Sequence, residues 1–343
     1  MTETRIKWHK SPIEKEALKE LTQRSDAAGL KQAGGFLLIY ITTTALALYF
    51  FKQQLWLPMV ATCYLHSCFV GFMGMGAAVH ELSHSTPFKT RWLNEFFYHL
   101  FSFLTWNNPV HFRYSHQKHH HLTVYRGLDK EVVIEPIALS PAVFLRWLTF
   151  DYKWFWKIMK PNFAHVLGRG DIDFFFWKPL FEKGDEKRQQ MINWARWAMA
   201  GHLTLIAVFI YFKLWVLIYT VTCGYFFATF LFMGCGSLQH LGLRPNVPDW
   251  RLSCHTLKLN PVLSFLYWQM NYHVEHHMYA AVPFFKLPRL HETIKADLPE
   301  ALAPGMLSGL KKLLEIQKEQ HRTPGYCFEP TFPSTALPPK RTE

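Results

Sequence analysis

No C-x-x-C pair and no even cysteine spacing occurs in this sequence, although it carries 6 cysteines: Cys63, Cys68, Cys223, Cys235, Cys254 and Cys327. A disulfide framework or a zinc knuckle needs such spacing, so neither is expected. Cys63, Cys68, Cys223 and Cys235 lie in apolar runs, where a free thiol behaves as a small hydrophobe. No G-x-x-x-x-G-K-[ST] loop offers a nucleotide phosphate site, and no Ser, His and Asp ordering offers a hydrolytic triad. The N-terminal stretch is polar, which predicts that there is no cleavable signal peptide. Low-complexity tracts are absent. Acidic residues are in the minority, 25 against 37 Lys and Arg, leaving a formal net charge of +12.

Aromatic residues, by contrast, are plentiful: 17% of 343 residues, with 13 Trp and 30 Phe. Half the residues are hydrophobic, yet mean hydropathy is near zero. Membrane proteins with large polar portions combine these features, because Trp and Tyr settle at the bilayer interface. The basic balance alone would suit a nucleic acid or an anionic membrane surface. Long apolar runs decide for the membrane, and no nucleic-acid partner is expected.

Those runs come as two hairpins. The first covers 35–51, breaks at Lys52-Gln53-Gln54 and resumes over 55–79. The second covers 194–212, breaks at Lys213 and resumes over 214–236. A bilayer core takes about 20 apolar residues as helix. Each break is short, so each pair is expected to be an antiparallel helical hairpin. The outer turns carry one lysine each, while the remaining Lys and Arg crowd the other segments. The positive-inside rule then puts both termini and the long middle segment in the cytoplasm. The expected fold is all-α: a four-helix membrane anchor with a cytoplasmic helical cap. Residues 1–34 form an N-terminal arm, 35–300 the membrane domain and 301–343 a C-terminal tail. Segments 93–106 and 142–159 read as interfacial helices.

Nineteen histidines are present, and their spacing matters more than their number. His80-Glu-Leu-Ser-His84 follows the second span, His116-Gln-Lys-His119-His120 lies in the middle segment, and His273-Val-Glu-His276-His277 follows the last span. A helix puts positions i, i+3 and i+4 on one face, so each box aims its imidazoles one way. One H-x-x-x-H is common as surface or core decoration. Three boxes on one side of a membrane are not, and metal coordination keeps the clustered rings neutral. Eight ligands exceed what one ion uses, so two metals are expected. His240, at the cytoplasmic end of the fourth span, is a ninth candidate. His66 and His202, deep in the spans, read as packing or polar contacts. Imidazole cages without thiolate suit iron that binds O₂, and the adjoining apolar bundle suits an alkyl-chain substrate.

Two other classes compete. His80-Glu81-Leu-Ser-His84 also matches H-E-x-x-H, the zinc protease motif with Glu81 as base. That reading leaves two boxes unexplained. A histidine-rich metal transporter is the second, but it would place its ionisable groups near the membrane midplane.

The order H-x-x-x-H, H-x-x-H-H, lone His, H-x-x-H-H resembles the membrane fatty acid desaturase and hydroxylase superfamily over roughly residues 35–300. The stretch from Asn260-Pro261 through Tyr267-Trp268, Asn271 and the third box to Pro283 and Leu287-Pro288 looks most like a bacterial subgroup of hydrocarbon oxygenases of the rhizopine-catabolism type. The resemblance implies a centre of two non-haem irons liganded by His80, His84, His116, His119, His120, His240, His273, His276 and His277, with O₂ as co-substrate. It implies desaturation or hydroxylation of a fatty acyl or other alkyl chain, or oxidative decarboxylation to a terminal alkene, in a bacterial inner membrane. Electrons would come from a ferredoxin or similar iron–sulfur donor with its reductase, since neither a His-Pro-Gly-Gly haem module nor rubredoxin cysteines are present. One departure stands out. His121 also permits an H-x-x-x-H-H reading over His116, His120 and His121.

Overall fold

The computed structural model describes residues 6–132, 136–175, 177 and 179–341. Among these residues the regular structure is all helical, with two isolated β-bridges and no strand. After a short α1 (Lys15–Leu21), Ser25 starts the first long helix by accepting a hydrogen bond from Ala28 N, an N-cap that satisfies one orphan donor. That helix, α2 (Asp26–Lys52), begins well before the apolar run does. It reverses into α3 (Trp56–Val70) through Gln54 at φ 56. Leu55 N returns to Phe50 O and Gln54 N to Phe51 O, the paired bonds of a Schellman stop. Leucines on the outside of the pair are bare, Leu57 82% and Leu38 64% exposed, as expected of a face solvated by lipid.

The continuous second span does not appear as such. After Val70 the chain tightens to a 3₁₀ turn over Gly71–Met73, opens, and restarts as α4 (Ala78–Ser83), which carries the first histidine box. The middle segment comes next: α5 (Arg91–Leu104), α6 (Pro109–Leu122) with the second box, α7 (Pro141–Leu148) and α8 (Tyr152–Val166). The expected helix over 142–159 is therefore two, parted at Thr149–Asp151, where Asp151 caps α8 by accepting from Trp154 N. Trp92 on α5's first turn and Trp156 on α8 are 67% and 56% exposed, consistent with surfaces that lie against a bilayer.

The second hairpin repeats the first turn's geometry. α9 (Glu186–Tyr211) stops with Lys213 at φ 57 and Leu214 N on Phe209 O, then α10 (Trp215–Leu217) begins. Beyond α10 the helix is broken again, through a π-helical turn over Ile218–Cys223 and a 3₁₀ turn over Gly224–Phe226, before α11 (Phe230–Ser237). Two stretches, Asp26–Lys52 and Trp56–Ser83, are long and apolar enough to cross a membrane, and Trp215–Phe226 is a shorter apolar helix.

The two broken passes face each other, and the glycines explain how. A Cβ on Gly74 would sit 2.2 Å from the Tyr225 hydroxyl, and Cβ atoms on Gly71 and Gly76 would sit 2.9 and 2.1 Å from Phe232. Only hydrogen fits there, so these three positions serve close backbone approach. His66 and His202 make the packing and polar contacts expected of them. His66 bridges Thr43 Oγ1 and the Thr220 carbonyl. His202 lies flat on Trp106 and binds the Phe103 carbonyl.

The rest of the chain closes the cap: α12 (Trp250–Ser253), α13 (Pro261–Leu266), α14 (His273–Met278) with the third box, α15 (Leu287–Ile294) and α16 (Met306–Arg322), which packs on α11. Arg251 is fully buried and pins several of these parts together. Its guanidinium grips Asp249 with two nitrogens, reaches Asp297 Oδ1 at 2.6 Å and the Leu337 carbonyl at 3.2 Å. Asp297 in turn accepts from Ser11 Oγ at 2.6 Å and pairs with His9 at 2.8 Å. The N-terminal strap (residues 6–14), α12, the 3₁₀ turn Lys295–Asp297 after α15 and the C-terminal tail thus share one charged knot.

Candidate metal centre

Each box sits on a helix, short for the first and third and 14 residues long for the second, so its rings share a face. α4 presents His80 and, at its C-cap, His84; α6 presents His116, His119 and His120; α14 presents His273, His276 and His277. His240 lies in the turn that follows α11. All nine rings converge. Ring nitrogens of His80, His84, His116, His120 and His276 lie within 4.8 Å of one another, as do those of His119, His240 and His277. His273 joins the second group, its Nε2 2.9 Å from His240 Nε2 and 3.1 Å from His277 Nε2. The division cuts across the boxes, each of which feeds both groups except the first. Eight of the nine rings are buried, and His84 is partly exposed.

His121 stands apart. It is exposed, and its backbone carbonyl accepts from the Trp8 indole. Five residues along a helix is a turn of about 140° past His116, away from the cluster. His119 takes the inward place.

The nitrogens that face outward fix the ones that face inward. His119 Nδ1 meets Asp129 Oδ2 at 2.8 Å, His116 Nδ1 meets Glu131 Oε1 at 2.7 Å, and His240 Nδ1 donates to the Ser253 carbonyl at 2.8 Å. A carboxylate or carbonyl accepts, so the proton stays on Nδ1 and Nε2 offers a lone pair. Yet inward Nε2 atoms lie 2.8–3.1 Å apart: His80 to His276 at 2.8 Å, and His116 to His80, His84 and His120 at 3.1, 3.1 and 3.0 Å. Lone pairs held face to face at that distance repel unless a cation lies among them. The donor set therefore fits metal ions, with imidazole suiting iron, copper, nickel or zinc.

Electrostatics agree. Burial, reinforced by neighbouring rings, holds His116, His120, His273 and His277 well below the usual imidazole value, and His240 is lowered to about 3 by burial and His119. These rings are neutral at pH 7, as ligands must be. His119 is the exception. Burial lowers it, but Asp129 outweighs burial and raises it. Burial also pushes Glu131 up to about 7.

Asp129 has a second task. It accepts from Val124 N at 2.8 Å, and Val124 is at φ 60, a left-handed conformation that a β-branched residue rarely adopts. The carboxylate thus holds both the His119 ring and the chain reversal that ends the second box. Asp129→Asn should weaken metal retention by about 10- to 100-fold, the usual cost of losing an outer partner of a ligand histidine. Timed removal of metal by a chelator checks this. Unchanged resistance would remove the positioning role.

Other residues beside the boxes serve the helices that carry them. Glu275 accepts from Thr256 Oγ1 at 2.6 Å and pairs with His291, so it anchors α14 and touches no cluster ring. Glu81 accepts from Thr86 Oγ1 at 2.7 Å and Phe284 N at 3.0 Å, which ties α4 to the segment after the third box. Asn271 donates to the Leu257 carbonyl. Sequence reasoning missed Ser253, Thr123 and Trp250. Thr123 Oγ1 lies 3.2 Å from His277 Nδ1 and accepts from the Trp250 indole at 3.2 Å. A carbonyl or a lone hydroxyl has no sequence signature, so no signal could have singled them out.

Buried imidazoles in two adjoining groups, carried by helices at the end of an apolar bundle, define a class: helical proteins with a histidine cluster able to hold metal. Within that class the chain belongs to the fatty acid desaturase family, whose model matches residues 54–306. A comparison with proteins of curated function gave no match. Membership suggests an oxidoreductase, and with the two long apolar helices it suggests a membrane protein.

Proposed function

We propose that this chain is a membrane di-iron oxidoreductase that uses O₂ to desaturate or hydroxylate an unactivated C–H bond in a fatty acyl or other alkyl chain. The observation that carries the reading is the division of nine imidazoles into groups of five and four, with outer nitrogens held by Asp129, Glu131 and the Ser253 carbonyl. His80, His84, His116, His120 and His276 would hold one iron, and His119, His240, His273 and His277 the other. Such a pair, when bound, supplies O₂ reduction and hydrogen abstraction. The protein's own share is to keep the rings neutral and oriented, to exclude water with the buried cap, and to offer the alkyl chain an apolar approach.

In this reading both hairpins cross a bacterial inner membrane, with termini and cluster on the cytoplasmic side, and a separate iron–sulfur protein delivers electrons. Decarboxylation to a terminal alkene would need the same centre and a different chain placement. The zinc protease reading loses support because it needs one ligand beyond His80 and His84, whereas nine imidazoles converge here. The transporter reading loses support because His66 and His202 are used in packing contacts.

Mass spectrometry of lipids and hydrocarbons from cells with and without the gene, grown with and without O₂, tests the reaction. The expected result is a gene- and O₂-dependent product with two hydrogens fewer or one oxygen more. An unchanged profile would count against any alkyl oxidation.

A further inference from the structure

An aromatic path runs from the surface to the second histidine group. Trp8, half-buried on the N-terminal strap, stacks on Trp250 with centroids 4.4 Å apart and planes 4° from parallel. Trp250 is only 5% exposed, and its ring centroid lies 6.4 Å from that of His277. A hydrogen-bonded branch runs beside it, from the Trp250 indole to Thr123 Oγ1 and from there to His277 Nδ1, each step 3.2 Å. The strap does not lie loosely over this path. His9 N donates to the Pro248 carbonyl at 2.8 Å, His9 and Ser11 are bound to Asp297, and Trp8 donates to the His121 carbonyl at 3.1 Å. Two exposed cations adjoin Trp8: Lys7 beside it in the chain, and Arg126 next to Tyr125, whose ring meets Trp8 edge-on at 5.8 Å.

We propose that Trp8 and Trp250 form the route by which electrons reach the histidine cluster, and that the basic rim around Trp8 docks an acidic one-electron iron–sulfur protein. The proposal rests on the di-iron reading above. Electronic coupling falls steeply across gaps and less steeply through stacked π systems and hydrogen bonds, and this path has no gap wider than a ring contact. Each docking oxidises one reduced iron–sulfur centre by one electron and reduces one Fe(III) in the cluster to Fe(II). Two dockings reduce the pair, and no atom changes hands at the tryptophans. Complementary charge would steer the acidic partner to the rim. The competing way in is the partly exposed edge of His84.

The test uses the full-length, iron-loaded protein in mild detergent with Cys327→Ser and Lys10→Cys, the new thiol carrying a tethered ruthenium polypyridyl photoreductant. Flash-driven iron reduction should slow by about an order of magnitude in Trp250→Leu and be largely kept in Trp250→Phe, which restores an aromatic ring. Iron content and the Mössbauer spectrum should be the same in all three proteins. Equal rates in the parent and Trp250→Leu would overturn the route. In the docking arm, an acidic [2Fe–2S] ferredoxin is the probe, and Lys7→Glu with Arg126→Glu should weaken its binding several-fold at low salt. No binding to the parent, or binding untouched by charge reversal, would overturn the docking surface. A parent protein that retains no iron would instead refute the di-iron reading, before any flash is fired.

Discussion

His119→Ala is expected to strip iron from the protein and abolish oxidation, while His121→Ala keeps both. The two residues are neighbours with interchangeable chemistry, and only the helix decides between them. His119 is 1% exposed, its Nδ1 is held by Asp129 at 2.8 Å, and its ring shares a group with His240 and His277. His121 is exposed on the far side of α6. Losing His119 takes one of four ligands from its group and leaves Asp129 buried without its partner. The loss should exceed the 10- to 100-fold typical of an outer partner. Elemental analysis beside thermal stability separates metal loss from unfolding. The reverse outcome, with His121→Ala metal-poor and His119→Ala intact, would mean that α6 is rotated from the orientation described.

Arg251→Met is expected to cost the fold more than any change at the surface, about 3–5 kcal/mol, because it leaves buried carboxylates without a counter-charge. Asp249 and Asp297 both depend on this guanidinium, and through Asp297 so do His9 and Ser11. The thermal midpoint of the detergent-solubilised protein should fall by many degrees. Adding Asp249→Leu should recover part of the loss, since one of the orphaned charges is then gone. A midpoint unchanged by Arg251→Met would show that the knot contributes nothing net.

Much of the cluster was legible in the sequence because ligand spacing is a local property. H-x-x-x-H and H-x-x-H-H place rings on one helix face whatever the surroundings, and all nine candidates do converge. The division into five and four was not legible. It depends on how α4, α6 and α14 meet, and the second and third boxes each split between groups. The roles of Glu81 and Glu275 were hidden for the same reason: a carboxylate next to a ligand in sequence points to another side of a short helix.

For the fold, hydropathy located both hairpins, and Lys52 and Lys213 marked their turns. It did not reveal the breaks at Gly71–Met73 and Ile218–Phe226, because those residues stay apolar while their backbone changes from α to 3₁₀ or π. Gly71, Gly74 and Gly76 lie at the first break, and the contacts with Tyr225 and Phe232 that explain them belong to the tertiary structure. α2 starts at Asp26, well before the apolar run, because Ser25 caps it, and hydropathy does not register a cap.

Metal stoichiometry tests most directly whether two irons sit among the nine histidines. Protein purified in mild detergent without chelator should contain two irons per chain by elemental analysis, with Mössbauer parameters of nitrogen-rich, non-haem sites. One zinc per chain with negligible iron would contradict a di-iron centre.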